Sequence, residues 1–553
     1  MLTADDIAAI PLFSSLTPKD VAYLAETAED VHLRAGEFAV YEGGERALFA
    51  VLSGKIEVVK LVDGVERRLG YRLPGAIFGE VPIALGTPFP GGYRATEPSR
   101  VLRLDVRHYH AIAAAAPDVV TKLGALARER IGGLQNIAAE PSKPRVIMLG
   151  PQWNSEASTL CRFLERNQIV FEWLKPNGAD VAARWGAAPP SDDDLPVLRF
   201  DDGSALTRPT TRDLALHLGL QTQPRSAEYD TVVVGAGPAG LAAAVYGASE
   251  GLCTLVIERE APGGQAGTSS RIENYLGFPG GISGDDLASR AFRQARRLGA
   301  EILVTRTVNR IDTTTREIVL DGGDAVRART VILATGVSWR HLAIEGFDKF
   351  IGKGVYYGAS RSEAGATNGV DVHLVGAGNS AGQAAINFSN HARTVTLVVR
   401  GQSLEGTMSY YLIEQLRGKD NIEVLLEAEI HAVHGDGHLS AIDIRDGKSG
   451  AVRRHESGGL FIFIGADAET EWLPEEIARD PRGYVLTGNE VVKAGRWSHR
   501  RTPYLLESSI PGIFACGDVR LSPVKRVAAA VGEGSMAIAF VHQYLQHDVH
   551  ARS

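Results

Sequence analysis

The sequence predicts a multidomain chain: an N-terminal β-roll with flanking helices, a small α/β module, then two α/β domains with parallel sheets, one nested in the other. Three observations predict it. Short β-rich runs between glycines crowd residues 33–106, strand and helix patterns alternate over 144–222, and two strand–glycine turn–helix segments lie at 231–240 and 372–381. A chain of 553 residues exceeds a single hydrophobic core, and about three to five domains are expected. The 61 glycines point to many tight turns or close backbone approaches to ligands.

Composition narrows the class of partner. The net charge of −8 argues against nucleic acid, which needs a basic face. Cys161, Cys253 and Cys516 are too few and too scattered for a disulfide scaffold or a metal site. The N-terminus lacks a basic segment followed by an apolar core, and no apolar run is long enough to span a bilayer. A soluble cytoplasmic enzyme is the expectation.

The roll comes first. Gly36, Gly43, Gly54, Gly75 and Gly79 punctuate runs such as Phe49-Ala50-Val51-Leu52 and Lys55-Ile56-Glu57-Val58-Val59, with helical stretches near 17–29 and 107–131. This pattern resembles the cyclic nucleotide-binding domain, and Phe78-Gly79-Glu80 matches the start of its phosphate-binding cassette. In that family the Glu binds the ribose and an Arg further along clamps the cyclic phosphate. Here the Arg position holds Phe89, which cannot make the bidentate, charge-assisted contact; Arg94 comes five residues later in a hairpin with little slack. Two roles stay open for such a roll: an interaction or dimerisation surface, or a site for a different ligand.

A polar linker at 138–143 leads to the middle module: a strand at 146–149, a helix with Leu160, Phe163 and Leu164 on one face, and a strand at 169–171. A strand at 195–198, a turn at 201–203 and a helix at about 211–218 complete it. The order is similar to the thioredoxin/glutaredoxin fold, whose cis proline would be Pro196. The C-x-x-C of that family would fall at Asn154 and Ala157, and Cys161, a turn later, reads as a buried small hydrophobe. The module is expected to dock or space, without redox chemistry.

In the C-terminal half a strand, Thr231–Val234, runs into Gly235-Ala236-Gly237-Pro238-Ala239-Gly240 and an Ala-rich helix. The first glycine makes the turn, the second lets the backbone approach a pyrophosphate, and the third permits helix–strand packing, so that the phosphate rests on the helix N-terminus. The next strand ends at Glu258, placed for ribose hydroxyls. Strand, helix and acid together make this a specific Rossmann-type fingerprint. Ala334-Thr335-Gly336 ends another buried strand, and Gly517-Asp518 places a carboxylate for the ribityl hydroxyls of a flavin. The helix after Lys525-Arg526-Val527 aims its N-terminus at the flavin pyrimidine edge. A second fingerprint, Gly376-Ala377-Gly378-Asn379-Ser380-Ala381, follows the strand at 372–375; its second strand ends at Arg400, where an acid would read NAD and an Arg pairs with the 2′-phosphate of NADP.

On these motifs residues 228–553 resemble the low-molecular-weight thioredoxin reductases. The resemblance implies FAD, with NADPH or NADH, and a homodimer. It adds flavin contacts at Gly264 and Gln265 of Gly263-Gly264-Gln265 and at Asn274 of Glu273-Asn274-Tyr275. The cofactor set is then Gly235, Gly237, Pro238, Ala239, Gly240, Glu258, Gly264, Gln265, Asn274, Ala334, Gly517, Asp518, Arg526 and Val527 for FAD, with Gly376, Gly378, Asn379, Ser380, Ala381 and Arg400 for NAD(P). Expected domains are 1–137 for the roll, 144–222 for the middle module, 228–345 with 468–553 for FAD, and 346–467 for NAD(P).

Two departures bear on chemistry. The redox pair and acid of that family correspond to Gly358-Ala359-Ser360-Arg361-Ser362, so both cysteine positions, Gly358 and Arg361, lack a thiol and no catalytic residue is assigned. The basic cluster for the 2′-phosphate becomes Arg400-Gly401-Gln402-Ser403-Leu404-Glu405, which weakens any NADP preference. The expected function is hydride transfer from NAD(P)H to FAD and on to an acceptor that is not a dithiol at the usual place: a carrier protein, a quinone or a small molecule. Some ferredoxin–NADP reductases share a thioredoxin-reductase fold without the cysteine pair. The second reading is a ligand- or redox-responsive sensor or scaffold working through the roll. An intact nicotinamide site favours the enzyme.

Overall fold

The computed structural model describes residues 2–552 except 63–64, 140–143, 152, 177, 179–180, 187–189, 270, 359–366 and 523. Part of the expected linker and the positions of Arg361 and Ser362 thus lie outside the described residues. The chain divides into two compact units, Met1–Pro144 and Arg145–Ser553. Among the described residues no helix is long and apolar enough to cross a membrane.

The first unit is a roll of two four-stranded antiparallel sheets. One has the order Glu29–Leu33, Ser99–Asp105, Ala47–Ser53, Ile77–Phe78; the other Phe38–Val40, Gly92–Ala95, Ile56–Val62, Val65–Arg72. Val101, Leu102 and Leu104 point into the interior, where Phe49, Phe78, Phe89 and Tyr93 fill one side and Tyr109, Ile112 and Leu123 close the other. The expected single helix over 107–131 is two, Val106–Ala115 and Pro117–Ala139. Pro117 disfavours helical backbone at Ala116 and starts a new helix instead.

The second unit begins with the middle module, a four-stranded sheet of order Phe171–Leu174, Val146–Leu149, Val197–Phe200, Ala205–Thr207. Asn154, at the first of the two would-be cysteine positions, caps the helix Ser155–Arg166 by accepting from Ala157 N at 2.9 Å. That helix buries Leu160, Cys161, Phe163 and Leu164 against Leu198, Phe200 and Leu214, and the same core takes in Val304 from the next domain. The Leu195–Pro196 peptide is cis. The strand expected at 169–171 is shifted to Phe171–Leu174, because Ile169 and Val170 lead out of the helix turn at Gln168, whose φ is 58°.

The largest sheet runs Glu301–Leu303, Thr254–Ile257, Glu228–Val234, Ala325–Leu333, Glu317–Leu320, Val308–Ile311, with Ile513–Ala515 also pairing in parallel with Ala325–Leu333. Thr231–Val234, Thr254–Ile257 and Thr330–Leu333 are buried throughout, as parallel strands covered on both faces must be. Helices Pro238–Ser249 and Val527–Arg552 pack so closely that a Cβ on Gly534 would meet Ala239 O at 2.1 Å. An antiparallel ribbon, Val337–Trp339 with Ala466–Ala468, carries the chain out to a second parallel sheet and back. That sheet has the order Val355–Tyr357, Gly459–Ile462, Asp371–Val375, Thr394–Val399, Ile422–Leu426. A three-stranded meander, Ala428–His434, Ala441–Asp446 and Val452–Glu456, follows.

Candidate dinucleotide cleft

A cleft of about 900 Å³ opens in the second unit, lined from the first fingerprint through the ribbon to the second fingerprint helix. This volume lies near the top of the range for small-molecule sites, about 300–1,000 Å³. Gly235, at φ 104°, turns the strand under Ala334, where a Cβ would meet Ala334 O at 2.5 Å. Gly240 packs on Gly235, its Cβ position 1.9 Å from Gly235 O. Gly237 is different: an added Cβ would meet only Gly264 Cα, 4.0 Å away, so its missing side chain leaves room facing the cleft and not room for packing. The helix it opens has no side-chain cap and Pro238 at its first turn, leaving backbone donors for an anion. These features fit the pyrophosphate of a dinucleotide.

Around that turn the carboxylates are held in place. Glu258, 7% exposed, accepts from Ala236 N at 2.8 Å and from Glu260 N at 2.9 Å, while burial pushes its acid upward. Across the cleft, Glu533 accepts from Gly517 N at 2.7 Å and pairs with Arg520 at 2.9 Å, fixing the turn that presents Asp518. Burial raises the Asp518 acid; Lys525 opposes that rise and Glu533 adds to it. Lys525 donates to Asp518 O at 2.7 Å and Arg520 O at 2.8 Å, and burial lowers its own ammonium. Gln265 donates to Val337 O, linking the fingerprint loop to the ribbon.

The cleft brings together Gly235, Gly237, Pro238, Ala239, Glu258, Gly264, Gln265, Ala334, Gly517, Asp518, Arg526, Val527 and, from the second fingerprint, Ser380. Gly240 lies behind it as packing. Asn274 is exposed and is not among the residues that line the cleft; it lies in the loop 273–281 that the bridge between Ile272 and Ile282 closes. The second fingerprint turns at Gly376, φ 144°, and opens the helix Asn379–Phe388 at an uncapped Gly378, with Ala381 buried behind it. Asn379 is engaged with the following loop, donating to Ser409 Oγ at 3.0 Å and accepting from Ser409 N at 2.7 Å. Arg400 is exposed at the end of its strand, and Glu405 pairs with Arg417 at 3.7 Å. Gly358, with φ 95°, lies on the wall near Thr268 and Trp339, a backbone conformation that a cysteine would adopt only under strain. Sequence motifs missed Trp339, His341, Phe463 and Trp472, which have no spacing signature, and Glu533, six residues beyond the end of Lys525-Arg526-Val527.

In the roll, the two cassette residues sit inside the core. Phe89 is 2% exposed and edge-on to both Phe49 (5.9 Å) and Tyr93 (5.6 Å). Glu80, 1% exposed, pairs with Arg130 of the last helix at 2.9 Å. Arg94 is held by Glu57 at 2.6 Å.

Two nested parallel-sheet domains, each with a glycine turn feeding a helix and both reaching one cleft, define a two-dinucleotide oxidoreductase. The pyridine nucleotide-disulphide oxidoreductase family model matches residues 229–534, and the chain belongs to that family. It is an FAD-dependent NAD(P)H oxidoreductase. A cyclic nucleotide-binding domain model matches residues 30–115. The chain is 30% identical over 321 residues to a thioredoxin reductase of Bacillus subtilis, covering 58% of this chain and 95% of that one. It is 30% identical over 319 residues to the 34.2 kDa protein in the rubredoxin operon of Clostridium pasteurianum, with 58% and 97% covered. Among solved structures, the thioredoxin reductase of T. acidophilum superposes with a TM-score of 0.51 at 28% identity, covering 58% of this chain and 99% of that one.

Proposed function

We propose that this enzyme passes electrons from NAD(P)H through FAD to an acceptor other than a dithiol at the family position. The observation that carries this reading is Gly358, a residue without a side chain on the cleft wall where the first cysteine would stand. Disulfide exchange needs a thiolate to attack and a second thiol to resolve the mixed disulfide. Cys161 and Cys516 are buried, which drives both thiols far above the ordinary range, and burial also raises Cys253. None of the three forms a C-x-x-C.

Bound FAD supplies a group that takes hydride from NAD(P)H and gives up its electrons in turn. In this reading residues 228–345 and 468–553 hold FAD and 346–467 hold NAD(P). The turn at Gly235–Gly237 and the N-terminus of helix Pro238–Ser249 hold the pyrophosphate, Glu258 the ribose, and Asp518 the ribityl chain. Trp339 and Phe463, 6.4 Å apart and edge-on, line the cleft between the two fingerprints. The Clostridium relative whose description places it in a rubredoxin operon supports a one-electron carrier among the acceptor classes.

The test is anaerobic flavin bleaching by NAD(P)H, then steady-state turnover with thioredoxin plus insulin and with ferricyanide or a quinone. Wild type and a Cys161→Ser/Cys253→Ser/Cys516→Ser variant are compared. Dye or quinone turnover in both, with no insulin reduction in either, is expected. Thioredoxin-linked turnover lost in the triple variant would overturn the reading.

A further inference from the structure

The two family matches leave residues 116–228 between them, and the middle module lies there. Its helix Ser155–Arg166 does more than fill a core: Thr159, Arg162, Phe163 and Arg166 line the dinucleotide cleft, as does Thr211 at the start of its last helix. Arg166 reaches one rim. Its guanidinium pairs with Glu260 at 2.7 Å and donates to Ala261 O at 2.8 Å and Gly264 O at 3.2 Å, and its buried Nε has no hydrogen-bond partner among the described residues. The opposite rim, Arg306–Asn309, and the residues that lead into it are held by the same module. Arg212 donates to Thr305 O and pairs with Asp321, Val304 N donates to Gln221 O at 2.9 Å, and Arg306 donates to Thr222 O at 2.7 Å.

Both rims flank Glu258, the acid that ends the second strand of the fingerprint. In a Rossmann-type site that acid takes the ribose, so the adenine lies beyond it, on the side away from the pyrophosphate. We infer that the middle module is the outer wall of the adenosine end of the FAD site, with Arg162 as a binding residue for the adenosine-diphosphate half and Arg166 as a positioning residue that holds the rim. The inference rests on the assignment of the cleft to FAD. A module that has lost its thiol pair thus retains a task its fold can perform without cysteines. It ties the two rims together through Arg166 and Arg212, and it places the exposed guanidinium of Arg162 on the cleft wall for an anionic ligand.

The experiment measures FAD, ADP and FMN binding to full-length apoprotein by flavin fluorescence and calorimetry. Wild type is compared with Arg166→Ala and Arg162→Glu; Arg162 is exposed, so its replacement leaves folding intact. Removing a charge-assisted contact set should weaken FAD and ADP by about tenfold or more in each variant. FMN, which lacks the adenosine half, should bind each variant as it binds wild type. Wild-type FAD and ADP affinity in both variants, or equal weakening of FMN, would overturn the inference. A wild-type protein that binds no FAD would instead overturn the assignment of the cleft.

Discussion

Trp153 lies parallel to His438, ring centroids 5.0 Å apart and planes 9° apart, so the middle module touches the nested domain as well as the cleft rims. Ser158 Oγ donates to Gly352 O at 3.4 Å beside it. An aromatic pair of this kind contributes about 0.5–1.5 kcal/mol beyond its buried area. Trp153→Ala should therefore raise amide hydrogen exchange around Gly352 and His438 while the far-ultraviolet dichroism is unchanged. Unaltered exchange at both loops would show that the stacking holds nothing.

Gly237 and Gly240 should fail in different ways when replaced by alanine. At Gly240 the new methyl would sit 1.9 Å from Gly235 O, and overpacking of backbone on backbone should cost about 2–3 kcal/mol in urea unfolding. At Gly237 the nearest atom is 4.0 Å away, so the stability of the apoprotein should change by less than about 0.5 kcal/mol. Its methyl instead occupies the pyrophosphate space, and the purified Gly237→Ala protein should lose its yellow colour. A fully flavin-loaded Gly237→Ala protein would contradict the placement of the phosphate.

The roll should not bind cyclic AMP or cyclic GMP. Phe89 stands in the clamp position within an aromatic cluster, one oxygen of Glu80 pairs with Arg130, and Arg94 pairs with Glu57. A buried phosphate without the bidentate guanidinium of that position loses several kcal/mol of pairing and solvation. Calorimetry should show no heat above dilution for either nucleotide; micromolar binding would refute this. Phe89→Arg is the complementary test: Glu80 Oε2 has no hydrogen-bond partner among the described residues, and a gain of binding would show that the rest of the cassette survives.

His373 should make the nested domain acid-sensitive. It is 3% exposed on the strand Asp371–Val375, bonded to Ser457 Oγ at 3.0 Å, and burial, aided by the His455 ring, pushes its imidazole from 6.5 down to about 4. The unfolded chain then binds a proton that the native state refuses, so stability falls as the pH drops from 6.5 towards 4. Going from neutral pH to about pH 5 should cost about 2 kcal/mol through this group, and His373→Gln should remove most of that slope in urea midpoints. Equal slopes in the two proteins would assign the acid sensitivity elsewhere.

Legible in the residues alone were the features that are local. A strand, a glycine turn and a helix follow one another within about ten residues, so the fingerprints at Gly235–Gly240 and Gly376–Ala381 carry their geometry in their order. The same holds for Glu258 at its strand end and for Pro196. Tertiary structure decided what is joined across the chain. Arg166 meets Glu260 from 94 positions away, and Glu533 supports Gly517 only because the last helix folds back over the sheet. Asn274 matched a motif by spacing, yet it is exposed in the loop closed by the bridge between Ile272 and Ile282 and does not line the cleft. Phe89 showed in the sequence only that an arginine was absent; packing against Phe49 and Tyr93 decided that its place is core. Periodicity and turn chemistry act between near neighbours. Which surface of a module covers which cleft depends on the shapes that meet, and no local pattern encodes that.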